Sequence, residues 1–241
     1  MALTTIGLMA LLGCFTGFMA GLLGIGGGMI ITPFLIMLIP SSLIPHEHIV
    51  HVAIATSLAT IAFTSLSSVR AHHKRGAVLW NVVASVAPGI LVGAVVGAQI
   101  AGWLPTFWLS LIFAAFVGFS AFKMFLNKSP RPDRNLPGTI GKFFMGIAIG
   151  ILSALVGAGG GFISVPWMIW CNVKMQNAVA TSAAFGFPIA LFGTIGYIIS
   201  GWNVSGLPPW PIDLGYICIP ALFSVAITSV LFAPVSYTHL R

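Results

Sequence analysis

Apolar positions in this chain run together and rarely alternate with polar ones. Nearly uncharged stretches of about 20 residues recur near residues 4–23, 49–69, 79–101, 105–126, 140–156, 178–200 and 214–233. A helix rises ~1.5 Å per residue, so about 20 residues cross the ~30 Å hydrocarbon core of a bilayer. The pattern therefore predicts an all-α integral membrane protein with seven spans. Two shorter apolar arms, starting at Met29 and Phe162, each follow a run of glycines.

Those glycine runs are related to each other. GIGGG at Gly24–Gly28 precedes Pro33, and GAGGG at Gly157–Gly161 precedes Pro166, each copy displaced by 133 residues (157 minus 24). Gly13, Gly17 and Leu22 match Gly146, Gly150 and Leu155 at the same offset, and Phe34 matches Trp167. Ala55-Thr56-Ser57 recurs as Ala180-Thr181-Ser182 at an offset of 125, eight residues fewer. An internal repeat is predicted, of the kind from which many transporters are built.

The proline-containing stretch from Asn127 to Gly138 separates the two copies, because Pro130, Pro132 and Pro137 interrupt any helix there. The expected organisation is a first transmembrane repeat over 1–126, a cytoplasmic linker over 127–139 and a second transmembrane repeat over 140–241. The counterpart of the first repeat's last helix would end near residue 250 (125 plus 133 minus 8), beyond Arg241, and the closing SYTHLR from Ser236 is not an apolar helix. The expectation is a truncated last span or a tail foreign to the chain.

Residues 4–39 would make a helix of about 54 Å, too long for one straight span and short for two. A glycine-broken or re-entrant helix at the head of each repeat follows. If each such element returns to its starting side, the repeats are inverted and Lys174 is cytoplasmic; if it crosses, they are parallel. Charge placement favours inversion.

Composition agrees with a membrane protein: 58% of the 241 residues are apolar and 5% charged, against roughly 25% charged in soluble domains, and mean hydropathy is +1.07. The net charge of +7 would suggest a nucleic-acid partner until its sources are placed. Arg70, Lys74 and Arg75 share one short loop, and Lys123, Lys128, Arg131, Arg134 and Lys142 flank the linker, so eight of ten cations sit in two segments. Such clustering sets topology, with both segments cytoplasmic, and it argues against nucleic acid. The connection 40–48, which holds Glu47 and no Lys or Arg, then faces outward.

Cys14, Cys171 and Cys218 lie far apart with no C-x-x-C, which suggests neither a disulfide framework nor a zinc site. Glu47, Asp133 and Asp213 are the only carboxylates and all fall in expected loops. A buried carboxylate proton relay is therefore not expected, no catalytic set emerges, and no cofactor is implied. His46, His48 and His51 surround Glu47 without forming H-E-x-x-H, so a solvated or proton-responsive outer mouth is expected there, and no metal site.

The glycine triplets carry the candidate chemistry. Glycines cost roughly 1 kcal/mol each in a helix relative to alanine, and exposed backbone within a bilayer costs more unless protein or a water-filled cavity receives it. Glycine also lets a ligand approach the backbone, and the restarting helix aims N–H groups and its positive end at the gap. That arrangement suits an anion. The expected substrate-binding residues are Gly26, Gly27, Gly28, Gly159, Gly160 and Gly161, with the hydroxyls of Thr56, Ser57, Thr181 and Ser182 completing the anion's hydrogen bonds. The two triplets are expected to meet around one central site. Small residues at four-residue spacing, Gly13/Gly17/Gly21, Gly89/Gly93/Gly97 and Gly146/Gly150, have a plainer use in close helix packing.

The run from Gly24 to Pro33 with Ala55-Thr56-Ser57, echoed by Gly157 to Pro166 with Ala180-Thr181-Ser182, resembles the TauE/SafE family, of the sulfite exporter or toluene-sulfonate uptake type. The resemblance covers nearly the whole chain. It implies about eight spans from a duplicated four-span unit, a bacterial inner-membrane location, and movement of sulfite, a sulfonate or a related organosulfur anion by a secondary transporter. The residues themselves argue only for an anion. An anion channel and a non-transport membrane assembly factor are the alternatives. Expected partners are the small anionic substrate, the lipid bilayer and a second copy in a homodimer.

Overall fold

The computed structural model describes residues 3–23, 27–40, 43–125, 135–204, 206–208 and 212–232. In chain order the elements are α1 (Leu3–Leu23), α2 (Gly28–Leu38), α3 (Ile49–Lys74), α4 (Trp80–Trp103), α5 (Thr106–Phe125), α6 (Thr139–Val156), α7 (Gly161–Trp170), α8 (Met175–Gly201), a ribbon of β1 (Asp213–Leu214) and β2 (Ile217–Cys218), and α9 (Ile219–Phe232). The fold is all-α apart from the ribbon. Four helices, α3, α4, α6 and α8, are long and apolar enough to cross a membrane among the described residues. The runs at 4–23 and 105–126 become α1 and α5, with 21 and 20 residues.

The last apolar run departs from expectation. Its first residues form the antiparallel ribbon, with Asp213 opposite Cys218 and Leu214 opposite Ile217, and α9 starts only at Ile219. Gly215 turns the ribbon at φ 61°, a left-handed conformation that side chains other than glycine rarely adopt. Pro220 then occupies the first turn of α9, where its missing N–H costs nothing. Hydropathy registers these residues as apolar but carries no signal for a two-residue strand.

α3 occupies the centre, buried from Val50 to Ile61 without a break. The outer helices present large apolar side chains outward, among them Phe107, Trp108, Phe119 and Phe122 of α5 and Phe223, Ile227 and Leu231 of α9. Apolar surface this extensive is unsuited to water and matches acyl chains.

Small residues fix the neighbours of each helix. Gly89, Gly93 and Gly97 of α4 meet Phe143, Ile147 and Ile151 of α6 in ascending order, so the two run parallel, and a methyl on Gly89 would lie 2.0 Å from Phe143 O. Gly13 and Gly17 of α1 press in the same sense on Val225 and Ser229 of α9. α3 and α8 are antiparallel, since Leu58 meets Gly193 and Ser65 meets Gly186. The backbone N–H of Leu79 donates to Thr181 Oγ1, which puts the start of α8 beside the start of α4. Arg70, Lys74, Arg75 and Lys174 consequently share one end of the bundle, and α6 with Lys142 starts toward that end.

Candidate functional site

The two glycine breaks have almost the same backbone. Gly27 precedes α2 at φ 69°, ψ −10°, and Gly160 precedes α7 at φ 77°, ψ −12°. Both are left-handed, where an L side chain costs roughly 1–2 kcal/mol, which explains glycine at each. Each glycine carbonyl accepts the first helical bonds, from Ile30 and Ile31 in one case and Ile163 and Ser164 in the other. No side chain caps either helix among the described residues. The first turns of both therefore keep N–H groups and a positive end directed at the break.

The breaks come into contact at one point. A methyl on Gly28 would lie 2.1 Å from Gly157 O and 2.4 Å from Ile61 Cδ1, so only a hydrogen fits there. Ser57 Oγ lies 3.3 Å from both Gly28 O and Gly157 O, and its one proton is shared between the two carbonyls. Ser57, placed in sequence as a donor to an anion, is thus a clasp between the two breaks. Thr56 and Thr181 each accept a backbone N–H from a distant segment: Cys218 N to Thr56 Oγ1 at 3.0 Å and Leu79 N to Thr181 Oγ1 at 3.0 Å. Both donors stand just before a helix, α9 in one case and α4 in the other. Acceptance leaves each threonine its own proton to donate. Gly159, Gly161 and Ser182 are buried at the second break and on α8. Gly26 lies outside the described residues.

Ser153 was not singled out by sequence. It is 1% exposed, its hydroxyl has no hydrogen-bond partner among the described residues, and it lies 3.4 Å from the position a Gly160 methyl would take. A buried hydroxyl with nothing to bond is costly, which makes Ser153 a candidate binding group beside the start of α7. Its counterpart at the repeat offset is Ala20, which is why the duplication hid it.

At the opposite end from the clustered cations an open cavity of about 350 Å³ is lined by Glu47, His48, His51, Trp103, Thr106 and Tyr216, among others. His51 is 2% exposed and not solvated as expected. Its Nε2 stands 3.0 Å from both Ala101 O and Leu104 O, donating to the last carbonyls of α4, and Thr106 Oγ1 lies 3.4 Å from Nδ1. The Thr106 hydroxyl also donates to Glu47 O. Tyr216 stacks on the His51 ring at 5.1 Å. No three His, Cys, Asp or Glu side chains gather to hold a metal among the described residues.

The expectation that the carboxylates all lie in loops, with none buried, fails at Asp213, which sits in β1. It is 4% exposed, and neither carboxylate oxygen has an ordinary hydrogen bond among the described residues. The Cys218 thiol opposite it is kept protonated, since burial pushes its pKa up to about 12, but a thiol is a weak donor. Burial raises the Asp213 pKa to about 6, offset only slightly by that thiol.

Apolar helices of spanning length around interior helix breaks are the build of a membrane protein, and its relatives give its class as a membrane transporter. The chain belongs to the sulfite exporter TauE/SafE family, whose sequence profile matches residues 9–241. A probable membrane transporter protein of Haemophilus influenzae is 34% identical over 227 residues, covering 94% of this chain and 85% of the relative. The probable membrane transporter protein YdhB of Bacillus subtilis is 30% identical over 194 residues, covering 77% and 76%. One from Methanocaldococcus jannaschii is 28% identical over 228 residues, covering 91% and 80%. No solved structure matches the chain. These relatives are named as transporters and not as enzymes.

Proposed function

We propose that the chain is a secondary transporter that carries sulfite, a sulfonate or a related organosulfur anion, as a multi-pass protein of the bacterial inner membrane. The observation that carries this reading is that the uncapped start of α2, at Gly28, meets the second break at Gly157, the residue that ends α6 just before the uncapped start of α7. Two positive helix ends and a set of neutral donors can replace an anion's hydration shell. The site comprises the N–H groups at Gly27, Gly28 and Gly159–Gly161 with Thr56, Thr181, Ser182 and Ser153, while Ser57 holds the breaks together. The sulfur chemistry comes from the family's description; the geometry argues for a small anion.

An inverted repeat is supported by direction. α3 and α8 are antiparallel, and α4 and α6 run parallel, as do α1 and α9. Because α3 starts where α4 ends, at His51 and Ala101, and its Thr56 bonds the residue before α9, α9 starts at the end where α4 finishes. Equivalent helices of the two halves thus run oppositely. α1 and α2 leave and return to the end where α3 begins, as α6 and α7 do at the end where α8 begins, which supports re-entrant elements.

Neutral donors bind less tightly than a buried cation, which suits a carrier that must release its cargo. Affinity is expected at micromolar to millimolar, about −8 to −4 kcal/mol. The test is uptake of radiolabelled sulfite, sulfoacetate and taurine by proteoliposomes. Saturable flux of at least one, lost in Gly160→Leu at normal membrane levels, is expected. Linear, unsaturable flux would indicate a channel, and none at all an assembly factor.

A further inference from the structure

We propose that Asp213 is a proton-binding site that couples anion movement to protons, an inference that rests on the transport reading. The carboxylate is buried, lacks an ordinary hydrogen bond among the described residues and is reached by no salt bridge there. A buried unpaired carboxylate either takes a cation or takes a proton. No three-residue metal cluster of His, Cys, Asp or Glu joins it among the described residues, and the occupant assigned here is a proton.

Cys218 stands against it across the ribbon, and the titratable groups on the elements around the ribbon can be named. α3, α8 and α9 pack on the ribbon. From the start of α3 come His48 and His51, whose rings meet Tyr216 at 5.9 and 5.1 Å. From α8 comes Tyr197, 6.2 Å from Tyr216, with its hydroxyl donated to Ala154 O. The ribbon itself contributes Tyr216 and Cys218, and α9 contributes no titratable group among the described residues. Tyr216, in the turn of the same ribbon, lines the open cavity with Glu47 and the two histidines, and the proton's approach is assigned to that side.

The ribbon is tied to the anion site. Cys218, opposite Asp213, donates its N–H to Thr56 Oγ1, and the next residue, Ser57, clasps Gly28 and Gly157. Ionising Asp213 places a negative charge at the ribbon and strains the packing that holds Thr56. Protonating it removes that charge. One proton travelling with a monoanion leaves no net charge moved, and the proton leaves Asp213 when the cargo does. With a carboxyl pKa raised to about 6, loading occurs on the more acidic side.

Infrared titration of the purified full chain in detergent, run beside anion flux, tests the inference. The expected result is a protonated-carboxyl stretch that vanishes near pH 6, is absent in D213N and returns in D213E. In proteoliposomes given radiolabelled sulfoacetate or sulfite, an acid-outside gradient should raise the initial rate several-fold. The ratio of driven to undriven flux should fall to about one in D213N and recover in D213E. A stretch titrating in the ordinary carboxylate range overturns proton binding whether or not flux is seen. Flux in D213N that still follows the pH gradient, or wild-type flux driven by sodium and indifferent to pH, overturns the coupling. Absence of flux for every anion overturns the transport reading and the coupling with it, while the infrared result stands on its own.

Discussion

A single hydrogen atom separates two backbones at Gly28. Gly28→Ala has to push Gly157 away, and the expected cost is about 1–3 kcal/mol, read as a lower thermal midpoint together with lost uptake. Gly118→Ala, with nothing within 4 Å of its new methyl, should change neither. Thr56→Val leaves the Cys218 N–H without its acceptor and Thr181→Val does the same to Leu79, each expected to cost about 1–3 kcal/mol. The double variant should also bind anions more weakly than either single one by calorimetry; equal affinity would remove these hydroxyls from the site. At Asp213 the sign of the pH effect runs opposite to that of a salt-bridged carboxylate. Its folded pKa of about 6 lies above the ordinary value, so stability is complete at acid pH, falls as pH rises from about 4 to 6, and stays reduced above that. Asp213→Asn should therefore stabilise the protein at pH 8 by an amount on the order of 1–3 kcal/mol, read as a higher thermal midpoint, and do little at pH 4.

At the level of elements, glycine rows decide which helices can be neighbours. Gly93→Leu would drive a side chain into Ile147 of α6, whose carbonyl oxygen is already 2.3 Å from where a methyl would sit. Loss of a compact species in detergent size exclusion is expected for it and not for Gly7→Leu, whose position is open. These rows were legible in the sequence because period-four glycine is a local signal, as were the breaks, where left-handed backbone and glycine coincide. Other parts were not legible. The pairings of Thr56 with Cys218 and Thr181 with Leu79 join residues 162 and 102 positions apart, and no spacing rule reaches that far. Asp213 reads as a loop carboxylate because its burial is produced by three helices packed on a ribbon too short to show a period. Ser153 stayed hidden because only one repeat has it.

For the whole molecule, the arrangement of ends makes a definite statement about sidedness. Lys174 shares an end with Arg70, Lys74 and Arg75, so in a background lacking native cysteines Lys174→Cys should react with an impermeant maleimide from the cytoplasmic side; labelling from outside would remove the inverted reading. The crossed partnership, α1 with α9 and α4 with α6, bears also on how the chain is made. α1 emerges from the ribosome roughly 200 residues before the helix it packs against. At about 5–20 residues per second this is a wait of some 10–40 s, with the glycine face of α1 open to lipid or to whatever insertion machinery shelters it. Neither half can close its own seams, so two genes divided at the linker should yield a protein only when both are expressed, and each half alone should be a substrate for membrane proteases.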